Sequence, residues 1–253
     1  MASPNQKIVL ITGGNQGVGY ETAKNLVLFS QDYHVILGSR DVSKGEAAAK
    51  ELQATDGIKG TVSSTQIDVT DDQSVDAAAL RVASEYGRLD VLVNNAGIVS
   101  TASPPTREAL RPILETNVVG SLSVTEAFLD LLRKSAHKPP RLVFVSSSTG
   151  SITHAADRDS PYYGPGAAEY RASKAALNML MVMYHARLGP EGFLVFGADP
   201  GLCATGFTGD PEALRRRGGA EPWQGGERVA SVVKGERDDN VGRVLGVYGV
   251  SPF

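Results

Sequence analysis

Short apolar runs alternate with longer stretches of helical spacing along the whole chain. Residues 7–11, Lys-Ile-Val-Leu-Ile, are an apolar run bounded by turn residues, the pattern of a parallel strand buried on both faces. Comparable runs fall at 35–37, 65–69, 91–94, 142–146, 193–198 and 243–247, so seven strands are predicted. Helical periodicity fills the intervals at 20–29, 43–54, 73–86, 107–133, 169–188 and 227–234. Pro112 stands inside the fourth of these and predicts a helix that starts after it or bends there. This alternation specifies an α/β fold, a doubly wound parallel seven-stranded sheet with helices on both faces.

At 253 residues with 42% hydrophobic content, the chain can bury a full core as one domain spanning 1–253. No low-complexity or strongly charged run marks a linker, and no repeat of solenoid length is present. A formal net charge of -3 argues against a nucleic-acid partner, because neutralising phosphates supplies most of that affinity. The basic cluster Arg215-Arg216-Arg217 reads as a solvated helix face.

Cys203 is the only cysteine, which excludes an intrachain disulfide and a cysteine-based zinc site. His34, His137, His154 and His185 show no metal-ligand spacing, so no metal is expected. The start, Met1-Ala2-Ser3-Pro4-Asn5-Gln6, lacks the pattern of a leader, and no apolar run approaches the roughly eighteen residues of a membrane span. A soluble, cytoplasmic protein with no membrane partner is the expectation.

Candidate chemistry begins directly after the first strand, in Thr12-Gly13-Gly14-Asn15-Gln16-Gly17-Val18-Gly19. Strand, glycine turn and helix together are the context of a dinucleotide site, in which backbone N–H groups and the positive helix end face phosphates. Gly13 permits the tight turn, Gly17 the approach of phosphate, and Gly19 the packing of helix on strand. Far along the chain, Tyr170-Arg171-Ala172-Ser173-Lys174 places a phenol and an ammonium four residues apart, on one helix face. A free tyrosine has a pKa of about 10, and a nearby cation together with an oxidised nicotinamide can draw it toward 7.

Taken in order, these motifs resemble the short-chain dehydrogenase/reductase family across nearly the whole chain, from Lys7 to Val247. Thr12 to Gly19 fits that family's glycine turn, and Asn94-Asn95-Ala96-Gly97 fits its motif after the fourth strand. Asn117, Ser147 and the Tyr170/Lys174 pair follow in the expected order, and Pro200-Gly201 with Thr205 is similar to its segment beside the nicotinamide. The resemblance implies a single-domain Rossmann-type fold and an oxidoreductase moving hydride between a nicotinamide cofactor and a carbonyl or alcohol. It implies four catalytic residues. Tyr170 protonates a ketone, aldehyde or quinone oxygen, Lys174 lowers the tyrosine pKa and holds the ribose, and Ser147 donates to the same carbonyl oxygen. Asn117 holds a water through its helix backbone and joins Lys174 to solvent. Among Ser146, Ser147 and Ser148, the family's spacing to Gly150 selects Ser147.

The same resemblance implies cofactor contacts at Gly13, Asn15, Gln16, Gly17, Val18, Gly19, Ser39, Arg40, Asp68, Val69, Asn95, Ala96, Gly97, Tyr170, Lys174, Pro200, Gly201, Leu202 and Thr205. The roles of Asn95, Ala96 and Gly97 divide between supporting the central strand and touching adenosine. Asp68 also reads as a carboxylate that caps its own turn. Ser39-Arg40 at the end of the second strand offers a hydroxyl and a planar fork to a 2′-phosphate, which favours NADPH/NADP+ over NADH. Asp41 lies one residue from the position of a ribose-binding carboxylate, and Gln16 is neutral where many NADPH-using relatives are basic.

Ser147 and Tyr170 stand 23 positions apart, about twice the usual family gap, so an insertion is expected at about 151–169. It resembles the carbonyl-reductase-like branch, some of whose members are monomers, and oligomeric state stays open. A substrate lid is expected at about 202–223, with Phe207, Leu214 and Trp223 as its bulky groups. Two other readings remain at this point: an NADP-binding regulator or redox sensor without turnover, and an isomerase or lyase using the same tyrosine. Regulators of that kind usually lose the Tyr or the Lys, and this chain retains both.

Overall fold

Ile8 and Leu10 enter one hydrophobic cluster and Val9 and Ile11 another, because successive side chains of a strand point to opposite faces. The computed structural model describes residue 3, residues 5–100 and residues 103–253. Met1, Ala2 and Pro4, part of the stretch read for a leader, lie outside the described residues. The elements run β1 (Lys7–Thr12), α1 (Gly17–Phe29), β2 (Tyr33–Ser39), α2 (Val42–Gln53), β3 (Thr61–Gln66), α3 (Asp72–Tyr86), β4 (Val91–Asn94) and α4 (Arg107–Leu114). They continue with α5 (Gly120–Arg133), β5 (Arg141–Val145), α6 (Ile152–Ala156), α7 (Ala168–Leu188), β6 (Leu194–Ala198), α8 (Pro211–Arg216), α9 (Pro222–Lys234), β7 (Val244–Gly246) and β8 (Gly249–Ser251).

The sheet order is β3-β2-β1-β4-β5-β6-β7-β8, and every pairing is parallel except β7 with β8. Chain order reverses between β1 and β4, and the carboxyl ends of the strands there form the crevice in which such folds bind ligands. Leu26 of α1, Leu52 of α2 and Val229 of α9 cover one face of the sheet. Val82 of α3, Phe128 of α5 and Met181 of α7 cover the other. No helix among the described residues is long and apolar enough to cross a membrane.

Several elements differ from the expectation: α6 and α8 are additional short helices, and α1 starts at Gly17 instead of 20. The sheet has eight strands instead of seven, because β8 is a three-residue antiparallel edge behind a tight turn at Val247-Tyr248. β3 covers Thr61–Gln66 and not 65–69; it is the other edge of the sheet and therefore carries Thr, Ser and Gln, while the apolar Ile67 and Val69 plug the core from the loop after it. α9 starts at Pro222, five residues before 227, since Pro is suited to a first helical position. The run 107–133 neither starts after Pro112 nor stays regular: a π-helical turn, Glu115–Val119, separates α4 from α5.

His34 shows how polar edges are satisfied inside this core. It is 1% exposed on β2. Its Nδ1 lies 2.7 Å from Thr61 Oγ1, and its Nε2 lies 2.9 Å from Ser63 Oγ and 3.0 Å from the Tyr86 hydroxyl. Burial holds its pKa down from 6.5 to about 4. The unfolded chain therefore takes up a proton near pH 6.5, while the folded chain resists protonation until about 4. The fold should keep its full stability above pH 6.5 and lose about 3 kcal/mol from this group as pH falls to 4. Urea midpoints measured across that window should slope less steeply in His34→Gln than in the wild type.

Candidate active site

The glycine turn between β1 and α1 has the backbone that a phosphate cradle needs. Gly13 and Gly17 adopt φ of +62° and +57°, where a side chain is strained. A Cβ on Gly19 would come within 2.5 Å of Asn95 Nδ2 and 2.7 Å of Gly13 O, so helix and strand pack here only without one. At Gly17 such a Cβ would make only an ordinary contact, with Thr205 Cγ2 at 3.7 Å, so the positive φ and not crowding is what calls for glycine there. Gln16 occupies the N-cap without a side-chain hydrogen bond, and the first turn holds no acidic residue. The first amides of α1 are thus left for an anion, and the residues present fit a dinucleotide pyrophosphate.

Asn95 supports this turn from β4. Its Nδ2 donates to Thr12 O at 2.8 Å and to Gly13 O at 3.2 Å, while Thr12 Oγ1 accepts from the N–H groups of Asn95 and Ala96, both at 3.0 Å. A Cβ on Gly97 would meet Asn117 Oδ1 at 3.2 Å. At the end of β2, Ser39 is buried and its hydroxyl donates to Asp41 O at 2.8 Å. Asp41 is engaged as the N-cap of α2, accepting from Lys44 N at 3.1 Å and Ser43 Oγ at 2.7 Å. Arg40 is exposed and, with Asp68, lines a cleft of about 490 Å³. Asp68 caps its own turn through Thr70 N at 3.0 Å and Thr70 Oγ1 at 2.7 Å, which holds its carboxyl below the usual range.

Ser147, Tyr170 and Lys174 converge beyond the end of β5. The Ser147 hydroxyl hydrogen-bonds the Tyr170 phenol, lies 2.9 Å from Thr149 Oγ1 and accepts from Thr149 N at 3.2 Å. Ser146 instead donates to Asn178, and Ser148 lies against the Tyr162 phenol. Lys174, 4% exposed, donates to Val145 O at 2.8 Å and places its ammonium 5.5 Å from the centre of the Tyr170 ring. A Cβ on Gly150 would lie 2.7 Å from the carbonyl carbon of Lys174, so the serine turn seats on α7 only because residue 150 is glycine.

Burial and the Asp199 carboxylate push the Tyr170 phenol above its usual 10, while the hydrogen bond from Ser147 pulls it down. This leaves Tyr170 protonated and able to donate. Burial draws Lys174 down to about 8, against the attraction of Asp199.

Asn117 sits fully buried in the π-helical turn. Its Nδ2 donates to Ser173 Oγ and to Ile98 O, each at 3.0 Å, and its Oδ1 accepts from Ile98 N at 2.8 Å. Its backbone oxygen accepts from Ser121 Oγ at 2.9 Å. Asn117 therefore reaches α7 beside Lys174 through Ser173, not Lys174 itself.

Around the mouth, Phe207 meets Tyr170 edge-on, with ring centres 5.9 Å apart at 70°. Leu214 is buried and Trp223 is 55% exposed, so these two bulky groups of the 202–223 stretch take opposite parts. Cys203 is buried, its Sγ 3.4 Å from Pro200 O, and burial raises its thiol to about 11. The 151–169 stretch folds as α6 followed by turns. Arg171 staples it, its Nε donating to Thr149 O at 3.0 Å and its Nη1 to Gly164 O at 2.9 Å. Asp199 and Arg171 border the site but were not among the residues expected there, whereas Tyr162 belongs to the expected 151–169 insertion. Only Asp199 carried a signal, as an acidic residue directly before Pro200-Gly201.

Comparison with known proteins agrees with this geometry. The model of the short chain dehydrogenase family matches residues 7–214. The chain is 38% identical, over the full length of both proteins, to the short-chain dehydrogenase/reductase tropE of Talaromyces stipitatus. Its structure is similar to an NADPH-bound carbonyl reductase from chicken fatty liver, with TM-score 0.80 and 26% identity over 98% of this chain and 100% of that one. The NADP complex of RhlG from Pseudomonas aeruginosa matches with TM-score 0.82 and 25% identity over 95% and 94%. Glycine turn, sheet order and sequence match converge: the chain belongs to the short-chain dehydrogenase/reductase family of oxidoreductases.

Proposed function

We propose that the protein is an NADPH-dependent reductase of ketone, aldehyde or quinone carbonyls, with Tyr170 as proton donor. The observation that carries this reading is the convergence of the Ser147 hydroxyl, the Tyr170 phenol and the Lys174 ammonium at one strand end. Bound NADPH would supply the hydride. Ser147 and Tyr170 would both donate to the substrate oxygen, so that charge developing there meets two hydrogen bonds and then a proton. Lys174 would hold the ribose and stabilise the phenolate left after transfer. The glycine turn would take the pyrophosphate, with Asn15, Gln16 and Val18 at its rim. Asn95, Ala96, Gly97, Asp68 and Val69 would border the adenosine, and Pro200, Gly201, Leu202 and Thr205 the nicotinamide.

Substrate class is supported by the mouth itself. Phe207 at 44% exposed, Leu202 at 44% and Trp223 at 55% offer apolar and aromatic surface, which suits an uncharged carbonyl compound. Cofactor preference is supported by Arg40, exposed at the cleft, and by Asp41, whose carboxylate is committed to the α2 cap.

The test is NADPH and NADH oxidation at 340 nm with aromatic ketones, aldehydes, diketones and quinones. Substrate-dependent loss of NADPH absorbance is expected; NADPH binding without turnover of any carbonyl would overturn the reading. Arg40→Ala should raise the KM for NADPH about tenfold and leave the KM for NADH near its wild-type value, since only the 2′-phosphate uses the guanidinium.

A further inference from the structure

Asp199 follows β6, is 4% exposed, and neither donates nor accepts a proton in the reduction proposed above. Its backbone N–H donates to Leu245 O at 2.8 Å, which fixes it beside β7. Each carboxylate oxygen accepts one backbone N–H at 2.8 Å: Oδ2 from Ser148 and Oδ1 from Gly201. Two donors aimed at two separate oxygens suit an ionised carboxylate, whereas an amide would turn its NH2 group on one of them. Lys174 Nζ donates to Val145 O, and Val145 pairs with Ala198, the residue before Asp199. Ammonium and carboxylate thus belong to neighbouring strand ends.

We propose, resting on the reductase reading, that Asp199 is a positioning residue. It joins the Ser147 turn to the Pro200-Gly201 loop and lays a fixed negative charge beside Tyr170 and Lys174 that keeps the phenol in its protonated form. The charge acts on both partners in one sense, since it opposes a phenolate on Tyr170 and favours the ammonium of Lys174. Tyr162 from the 151–169 stretch and Cys203 from the following loop also face the carboxylate, and burial, with the carboxylate adding to it, pushes both upward. Arg228 from α9, which donates to Pro200 O beside it, offsets part of the charge.

The test compares Asp199→Asn and Asp199→Ser, which remove the charge, with Asp199→Glu, which keeps it but moves it. Two readouts are taken: the pH dependence of kcat/KM for reduction, and the titration of 13Cζ-labelled tyrosine by NMR, with Tyr170→Phe for assignment. In the neutral variants, the basic limb of the rate profile and the Tyr170 titration should both move down by about one pH unit. Asp199→Glu should keep the limb near its wild-type position while kcat falls. Loss of kcat in all variants with an unmoved limb and an unmoved phenol would overturn the proposal and leave a structural tie. Absence of carbonyl reduction in the wild type would instead overturn the reductase reading, and the tyrosine titration would still decide what Asp199 does to the phenol.

Discussion

Tyr170→Phe should lower kcat/KM for carbonyl reduction by about 10³-fold while NADPH affinity stays within about threefold of wild type. The substitution removes one oxygen and little else. The ring that meets Phe207 edge-on and lies 5.5 Å from the Lys174 ammonium is retained, so the mouth keeps its shape. On the proposed reading what disappears is the proton donor, and Ser147 alone would hydrogen-bond the substrate oxygen without resupplying a proton. Reduction followed at 340 nm, beside a fluorescence titration with NADPH, separates the two effects. A variant keeping more than a tenth of the wild-type rate would show that the proton comes from elsewhere.

Gly226→Val should destabilise the fold by about 3 kcal/mol, or roughly 6–12 °C in Tm for a chain of this size, and weaken NADPH binding at the same time. A Cβ on Gly226 would lie 2.5 Å from the carbonyl carbon and Cβ of Glu21 and 2.7 Å from Thr22 N, all in α1. Replacing glycine inside a helix ordinarily gains up to about 1 kcal/mol of propensity, less for a β-branched residue, so steric overlap wins here. α9 can relieve it only by moving off α1, whose first turn forms the cradle over Gly17. Thermal melts with and without NADPH test this; an unchanged Tm would mean that the two helices tolerate separation.

The central strands were legible because burial on both faces demands continuous apolar runs, as in β1 and β4. The edges were not. β3 carries polar residues whose partners, such as Tyr86 for Ser63, come from another element, and β8 is too short to show a period. In the site, Tyr170 and Lys174 were readable because one helix holds both at a fixed spacing. Ser147 was readable because the close seating of Gly150 on α7 forces a glycine three residues on. Asp199 and Arg171 act through backbone groups that are distant in sequence, Ser148 and Thr149 among them, and no linear spacing announces such partners. The start of α9 was hidden for a related reason: Pro222, Gly225 and Gly226 resemble a loop by composition, yet the glycines serve close helix packing.

The π-helical turn at Glu115–Val119 makes the length of this helix a functional quantity. Gly120 N–H reaches five residues back to Glu115 O, so the turn holds one residue more than an α-helix would. Deleting one residue there would close the helix into regular α-helical hydrogen bonding and leave α5 close to its present rotation about the axis, because the wide turn already absorbs the extra residue. Val124, Phe128 and Leu132 would stay in the core, and the change would fall on Asn117, which the wide turn brings to Ser173. The extra residue in this turn therefore serves the placement of Asn117 against Ser173 and Ile98, and not the packing of the core.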